Sequence, residues 1–577
     1  MTPASAFTMF VNLENTAAVT GTNLSSCPAD RPGVTVGCAG YVVVDGRPAT
    51  GADCVEAITE AYRRYGHKLS EHLLGQFCAA IADHEKKQVV LIQDSLGLRT
   101  IYYQTLSPAR VVLASDLRTM QVAAPNMELD QAYFLYFLSF GARLSGRTPY
   151  ARIGRLAMGE TLVLKAGSRV RCYPWRPSNE SGRPTDDNPE RVRDLVERAV
   201  LSALPREGNV LAELSGGLDS SSVLCAAFPF RPDIQALTFV SGSNRSSDDP
   251  LYSEMVVRHL GNVRWRPFDQ DPYPPFAMEP ALAEVEPGSE IRSALRSAYY
   301  GLLRSAKIDV VLTGGGGDQV FGSTDAAPIY IADKVRTLNF AGAWRESARW
   351  RHNGNTLRSE SFWVWHYGVK AAWRHARGRS LVYTLSRMKA PWLSDFVLRQ
   401  TKDVSPSQII HRLTLPSRQH YWEMLMRLAE NESTAPNLGA SAQFRLPLLY
   451  RPLAEYMIRL SAKYRRGELG DRMLQREAVK GLLPEAVRLR RDKGTNQVLR
   501  EQSFVENPSW TDSLLDNPLI AQFGWVRPSA WAEAVARARF GLVSHPMAFD
   551  AAMCVERWLR LNHYTQSELE RGRTNSI

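Results

Sequence analysis

Residues 209–222, N-V-L-A-E-L-S-G-G-L-D-S-S-S, run an apolar strand into a serine- and glycine-rich loop that holds one aspartate. Such a strand, loop and helix start form a cradle for pyrophosphate. Gly216 and Gly217 lack a Cβ, so the backbone can bend sharply and bring its N–H groups close to an anion, and the helix N-terminus adds partial positive charge. Ser215, Ser220 and Ser221 supply hydroxyl donors. Asp219 would repel a bare phosphate, which implies a Mg²⁺ shared between carboxylate and phosphate oxygens. Taken alone, the segment also reads as an ordinary strand-to-helix turn.

A second loop narrows that choice. D-V-V-L-T-G-G-G-G-D-Q-V-F-G (309–322) again places a buried-type strand before glycines and an aspartate, Asp318. Asp219 and Asp318, at the C-terminal ends of two parallel strands, can hold one metal ion in the crevice where open α/β sheets bind ligands. No G-x-x-x-x-G-K-[ST] occurs in the chain, which excludes a Walker-type site.

The segment Ser215–Ser221 resembles the PP-loop of the N-type ATP pyrophosphatases, and the chain is most similar to their asparagine synthetase branch. That resemblance implies cleavage of ATP between its α- and β-phosphates to adenylylate a carboxylate, with ATP and Mg²⁺ as cofactors. Gly314, Gly316, Asp318, Phe321 and Gly322 match the branch's second signature, with Gly315 inside it. F-R-L-P-L-L (444–449) resembles its V-P-F-L-D segment, although Tyr450 stands in place of the aspartate. The stretch 474–494 matches its late helix and lysine loop, which implies that Lys493 steadies charge at the α-phosphate and acyl centre. Glu286 and Pro287 resemble the Glu-Pro near the substrate carboxylate; a solvated loop acid is the other reading.

A chain of 577 residues exceeds one core and predicts at least two domains. The content of 44% hydrophobic and 22% charged residues is that of a soluble globular protein, with no run long enough to span a membrane. No basic n-region of a signal peptide precedes Leu13, so the cytoplasm is expected. The seven cysteines are scattered without metal-ligand spacing and read as reduced core thiols. A formal charge of +11 comes without any nucleic-acid-binding pattern, so neither nucleic acid nor membrane is an expected partner. Residues 344–379 concentrate eight Lys or Arg and five of the thirteen tryptophans; they read either as amphipathic core helices or as a docking surface.

The expected fold class is mixed α/β and α+β. Residues 1–175 read as an antiparallel sandwich from 41–44, 77–82, 89–93 and 111–114, and 176–189 as a polar, Pro-rich linker. Residues 190–577 open with a helix capped by Asn188, continue as a parallel sheet from 209–214, 234–240, 263–268 and 309–314, and end mostly helical. Segments 75–83, 93–103 and 113–120 resemble the class II glutamine amidotransferase (Ntn-type) domain. That domain needs a cysteine after Met1 and an Asn-Gly-Glu segment. Here Thr2 follows Met1, the first cysteine is Cys27, and the Asn-Gly-Glu segment is missing, so the domain is expected to be an inactive scaffold.

A site that adenylylates without its own ammonia source must take its amine from elsewhere. Among relatives of the asparagine synthetases, β-lactam synthetases carry a tyrosine base inside the second glycine loop, whereas Gly315 occupies that position here. The four-glycine loop resembles that of the lasso-peptide macrolactam cyclases. The implied substrate is a leader-free core peptide, with a leader peptidase and a precursor-recognition protein as partners. A small-molecule amide ligase and a non-catalytic partner protein are the alternatives.

Overall fold

The computed structural model describes residues 6–16, 19–26, 33–125, 128–173, 188–242, 249–275, 285–288, 292–322, 328–353, 358–381, 388–401, 413–432, 442–460, 466–467, 470–490, 504–505, 512 and 514–562. Thr2, Cys27, Lys493 and the expected linker up to residue 187 lie outside them.

The N-terminal region is built from two antiparallel sheets. One contains β1 (Thr8–Asn12), β2 (Val19–Thr22), β8 (Tyr102–Ser107), β9 (Arg110–Ala114) and β10 (Gly154–Arg155), in the order β10-β8-β9-β1-β2. The other runs β12-β11-β7-β6-β4-β3, from β3 (Leu24–Ser26), β4 (Val34–Val44), β6 (Gly75–Asp83), β7 (Gln88–Gln93), β11 (Thr161–Lys165) and β12 (Ser168–Cys172), with β5 (Arg47–Ala49) paired to β4. Strand side chains alternate between faces, and in central strands such as β6 and β7 both faces are buried. Cys78, Ala80 and Ala82 of β6 meet Val111 and Leu113 of β9 between the sheets. Phe77, Ala79 and Ile81 instead pack under α1 (Gly51–Tyr65). Val112 and Ala114 pack under α2 (Leu117–Ala123) and α3 (Gln131–Phe140). The result is a four-layer sandwich, as expected. Helix α1 was not legible as an element in a region that reads as strand-rich.

The second region centres on a five-stranded parallel sheet, β15-β14-β13-β16-β17. Its strands are β13 (Val210–Glu213), β14 (Gln235–Val240), β15 (Arg264–Asp269), β16 (Val310–Leu312) and β17 (Gln443–Arg445). The four expected strands are present, and the three-residue β17 joins them at one edge. Helix α4 (Pro189–Ala203) starts where predicted: the Asn188 side chain accepts from the N–H groups of Glu190 at 2.8 Å and Arg191 at 3.3 Å. Its Val192, Leu195, Val196, Ala199, Val200 and Ala203 are buried, as its 3.6-residue period requires. Helices α5 (Leu218–Ala227), α6 (Asp249–Leu260) and α7 (Ser293–Ser305) follow the expected alternation.

The two regions interlock. Gln76 Nε2 donates to the Leu446 carbonyl at 2.9 Å, and the Leu446 N–H donates back to Gln76 Oε1 at 3.4 Å. The Arg445 guanidinium lies 4.4 Å from the Tyr41 ring centre, and burial holds its pKa down to about 10. Helix α3, apolar on every side, stacks Phe134 against Trp525 at 5.3 Å. In the basic, Trp-rich segment, Trp350 and Trp363 pack edge to face, while Trp344, Trp365 and Trp373 are exposed. Among the described residues no helix is long and apolar enough to cross a membrane.

Candidate functional site

Pairing of β13 with β16, Ala212 opposite Leu312, sets the two glycine loops side by side at the C-terminal edge of the sheet. Gly216 has φ +66°, and a Cβ there would lie 2.6 Å from Tyr252 Cβ and 2.7 Å from the Ser253 nitrogen. Only glycine allows that turn against α6. Helix α5 then follows Gly217, its N-cap, with no side-chain cap, so no capping side chain takes the N–H groups of its first turn.

The serines divide. Ser215 is exposed. Ser220 Oγ accepts from the Ser215 N–H at 3.1 Å and faces Ser215 Oγ at 3.0 Å, so it braces the loop. Ser221 is fully buried. Of the three expected hydroxyl donors, Ser215 is the one presented at the surface.

The two loops touch. A Cβ on Gly314 would lie 2.6 Å from the Ser220 nitrogen, one on Gly316 2.3 Å from Leu449 Cγ, and one on Gly317 2.3 Å from Asp219 Cγ. Gly314 and Gly317 are therefore required for contact between the loops, and Gly316 for contact with Leu449, rather than for open space. Gly315 differs, because its Cβ would meet only side chains, Leu446 Cδ2 at 3.0 Å and Thr313 Oγ1 at 3.2 Å.

Asp219 and Asp318 converge as the sequence predicts. The group between them is Arg472: its Nη1 lies 2.7 Å from Asp219 Oδ2 and 3.0 Å from Asp318 Oδ1. Gln475 Nε2 donates to Asp219 Oδ1 at 2.7 Å. Arg472 sits at φ 59°, ψ 38°, a left-handed conformation that costs a non-glycine residue about 1 kcal/mol. Two carboxylates turned toward one cation fit a magnesium ion. Among the described residues no group of three or more His, Cys, Asp or Glu gathers, so phosphate oxygens and water would complete the coordination.

Arg490 pins the same loop. It donates to the Gly216 carbonyl at 3.4 Å, pairs with Asp249 at 2.8 Å and lies 4.2 Å from the Tyr252 ring centre. Arg472, Gln475 and Arg490 were not singled out in the sequence, although Gln475 and Arg490 lie in the stretch 474–494 matched to the family's late helix and lysine loop. Lys493, assigned to the acyl centre, falls outside the described residues.

Glu286 is placed elsewhere. It is 1% exposed and pairs with Arg143 at 3.0 Å and Arg155 at 3.4 Å, both from the N-terminal region. Its neighbour Val285 packs with Tyr133, Trp525 and Trp558, not with the residues beneath the glycine loops. Glu286 is neither a solvated loop acid nor joined to the two aspartates; it is a buried charge that ties the regions together.

Comparison with known proteins follows this division. Residues 191–560 match the family model described as asparagine synthase, and residues 45–175 match the glutamine amidotransferase domain. "Asparagine synthetase [glutamine-hydrolyzing] 2" of Bacillus subtilis is 22% identical over 409 residues, covering 64% of this chain and 51% of that protein. "Amidase chry2" of Gibberella zeae is 22% identical over 304 residues, covering 48% and 43%. A "Putative asparagine synthetase [glutamine-hydrolyzing] 2" of Methanocaldococcus jannaschii is 25% identical over 293 residues, covering 47% and 54%. The chain thus spans about half the length of these relatives. With the family model matched over most of its length and the paired glycine loops in place, the chain belongs to the asparagine synthase family.

Proposed function

We propose that the protein is an ATP-dependent, AMP-forming carbon–nitrogen ligase that joins a side-chain carboxylate of a peptide to the same peptide's N-terminal amine. The observation that carries the ligase reading is the convergence of Asp219 and Asp318 on one cation position beside the uncapped start of α5. The N–H groups of that turn bind phosphate oxygens, and Ser215 adds a hydroxyl. Asp219 and Asp318 would hold Mg²⁺, which when bound neutralises phosphate charge. The substrate carboxylate oxygen attacks the α-phosphorus and pyrophosphate departs; the amine then attacks the acyl carbon and AMP departs. Lys493 stabilises the negative charge that develops in both steps.

The peptide reading rests on residue types. The Asn-Gly-Glu segment of an ammonia-producing domain is missing, and Gly315 stands where β-lactam synthetases carry a base. The main task left to the protein is orientation, since holding amine and acyl carbon together removes an entropy that would otherwise sit in the barrier. A leader peptidase and a precursor-recognition protein would supply the free amine.

The test is AMP and pyrophosphate formation on addition of a peptide with a free N-terminus and an internal Asp or Glu. Equal turnover with an acetylated N-terminus overturns the intramolecular step. Turnover with a free amino acid and ammonia but no peptide establishes a small-molecule amide ligase instead.

A further inference from the structure

Resting on the ATP and Mg²⁺ reading above, we propose that Arg472 is the resident counter-ion of the Asp219–Asp318 pair, barring free divalent metal so that metal enters only together with nucleotide phosphates. Three observations carry this. One guanidinium nitrogen serves both carboxylates, at 2.7 and 3.0 Å. Both oxygens of Asp219 are engaged, Oδ2 by Arg472 and Oδ1 by Gln475. Arg472 reaches the pair from a left-handed backbone at the start of helix Met473–Ala478, directly after strand Gly470–Asp471, which pairs with Arg466–Gly467.

The electrostatics follow from the arrangement. A guanidinium and a divalent ion cannot occupy the same space between two carboxylates, and at this separation they repel strongly in a partly buried site. Arg472 is 12% exposed at its side chain, so the repulsion is only weakly screened. Free metal must therefore displace Arg472 from both carboxylates. Metal that arrives on a nucleotide brings phosphate charge with it. By linkage, whatever makes nucleotide favour metal must make metal favour nucleotide by the same factor.

The test uses the full chain and Mn²⁺, followed by electron paramagnetic resonance, with and without α,β-methylene-ATP. Wild type should bind free Mn²⁺ weakly, and the nucleotide analogue should tighten binding at least about tenfold. Arg472→Gln should bind Mn²⁺ without nucleotide at least about tenfold more tightly than wild type, because one positive charge has left the pair. Asp219→Asn should abolish tight binding in both backgrounds. Arg472→Met is measured alongside, with thermal melting as a second readout: Mn²⁺ alone should raise Tm for the Arg472 variants and leave wild type unchanged.

If both Arg472 variants fold and bind free Mn²⁺ no more tightly than wild type, the counter-ion role is wrong. Binding that ignores Asp219→Asn places the metal elsewhere and overturns the proposal with it. An analogue that binds neither wild type nor variant refutes the ATP reading, whereas the counter-ion claim is decided by the nucleotide-free comparison alone.

Discussion

Adding one methyl group at Gly317 should damage this enzyme far more than adding one two residues earlier, at Gly315. A Cβ on Gly317 would sit 2.3 Å from both Cγ and Oδ1 of Asp219 and 2.8 Å from its Cβ. Relief requires Asp219 to move by about 1 Å, since ordinary contacts begin near 3.4 Å. Asp219 cannot move alone, because Arg472 and Gln475 grip its two oxygens. Overpacking of this kind costs about 1–3 kcal/mol, and a 1 Å misplacement of a reacting group can cost about 10² in rate. At Gly315 the new Cβ meets Leu446 Cδ2 at 3.0 Å and Thr313 Oγ1 at 3.2 Å, both ends of side chains that can shift a few tenths of an ångström. Gly315→Ala should therefore stay within about threefold of wild type in AMP formation, an effect under ~1 kcal/mol. The assay is pyrophosphate release under saturating ATP and substrate, with urea midpoints to normalise for folded protein. Gly317→Ala within threefold of wild type, or Gly315→Ala as impaired as Gly317→Ala, would refute the contact geometry between the loops.

Three other outcomes are expected. Asp318→Asn should lower ATP-to-AMP turnover by about 10² or more, since a preorganised charge contact is lost, while the urea midpoint changes little; turnover within tenfold of wild type removes Asp318 from the site. Glu286→Gln leaves Arg143 and Arg155 without their buried carboxylate and should cost about 3–5 kcal/mol of stability, with turnover per folded molecule nearly unchanged; the reverse pattern, a stable protein with no turnover, returns Glu286 to the chemistry. Burial pushes Asp94 up to about 7 against the pull of the Leu96, Leu98 and Arg99 N–H groups. The folded state then binds a proton that the unfolded state has released, so Asp94 favours folding at acidic pH and that contribution is lost as pH rises toward 7. Urea midpoints from pH 5 to 8 should fall more steeply for wild type than for Asp94→Asn, and parallel curves would show that Asp94 stays ionised.

Much of this architecture was legible because its signals are local. Asn188 before Pro189, the apolar period from Val192 to Ala203, and the strands that run into the loops of Gly216 and Gly314 each declare an element within a dozen residues. Strand β17 was not legible, since Gln443–Arg445 is a strand only by lying against β16. Helix α1 was missed because the strands around it set the reading of its region. At the site, sequence gave the acidic half. Arg472 and Gln475 lie more than 250 residues beyond Asp219 and belong to it only through the fold. Glu286 shows the converse: a Glu-Pro pair resembled a substrate contact, but two buried arginines of the other region determine its surroundings.

On the proposed function, an activated peptide carboxylate is captured by the peptide's own amine. Purified protein with ATP, Mg²⁺ and a leader-free peptide bearing one internal Asp or Glu should yield a product lighter by one water, with one AMP and one pyrophosphate formed per product. Tandem mass spectrometry should place the new bond between the N-terminus and that side chain. An acetylated peptide that loses water equally well, or a product that has gained ammonia from solution, would contradict the claim.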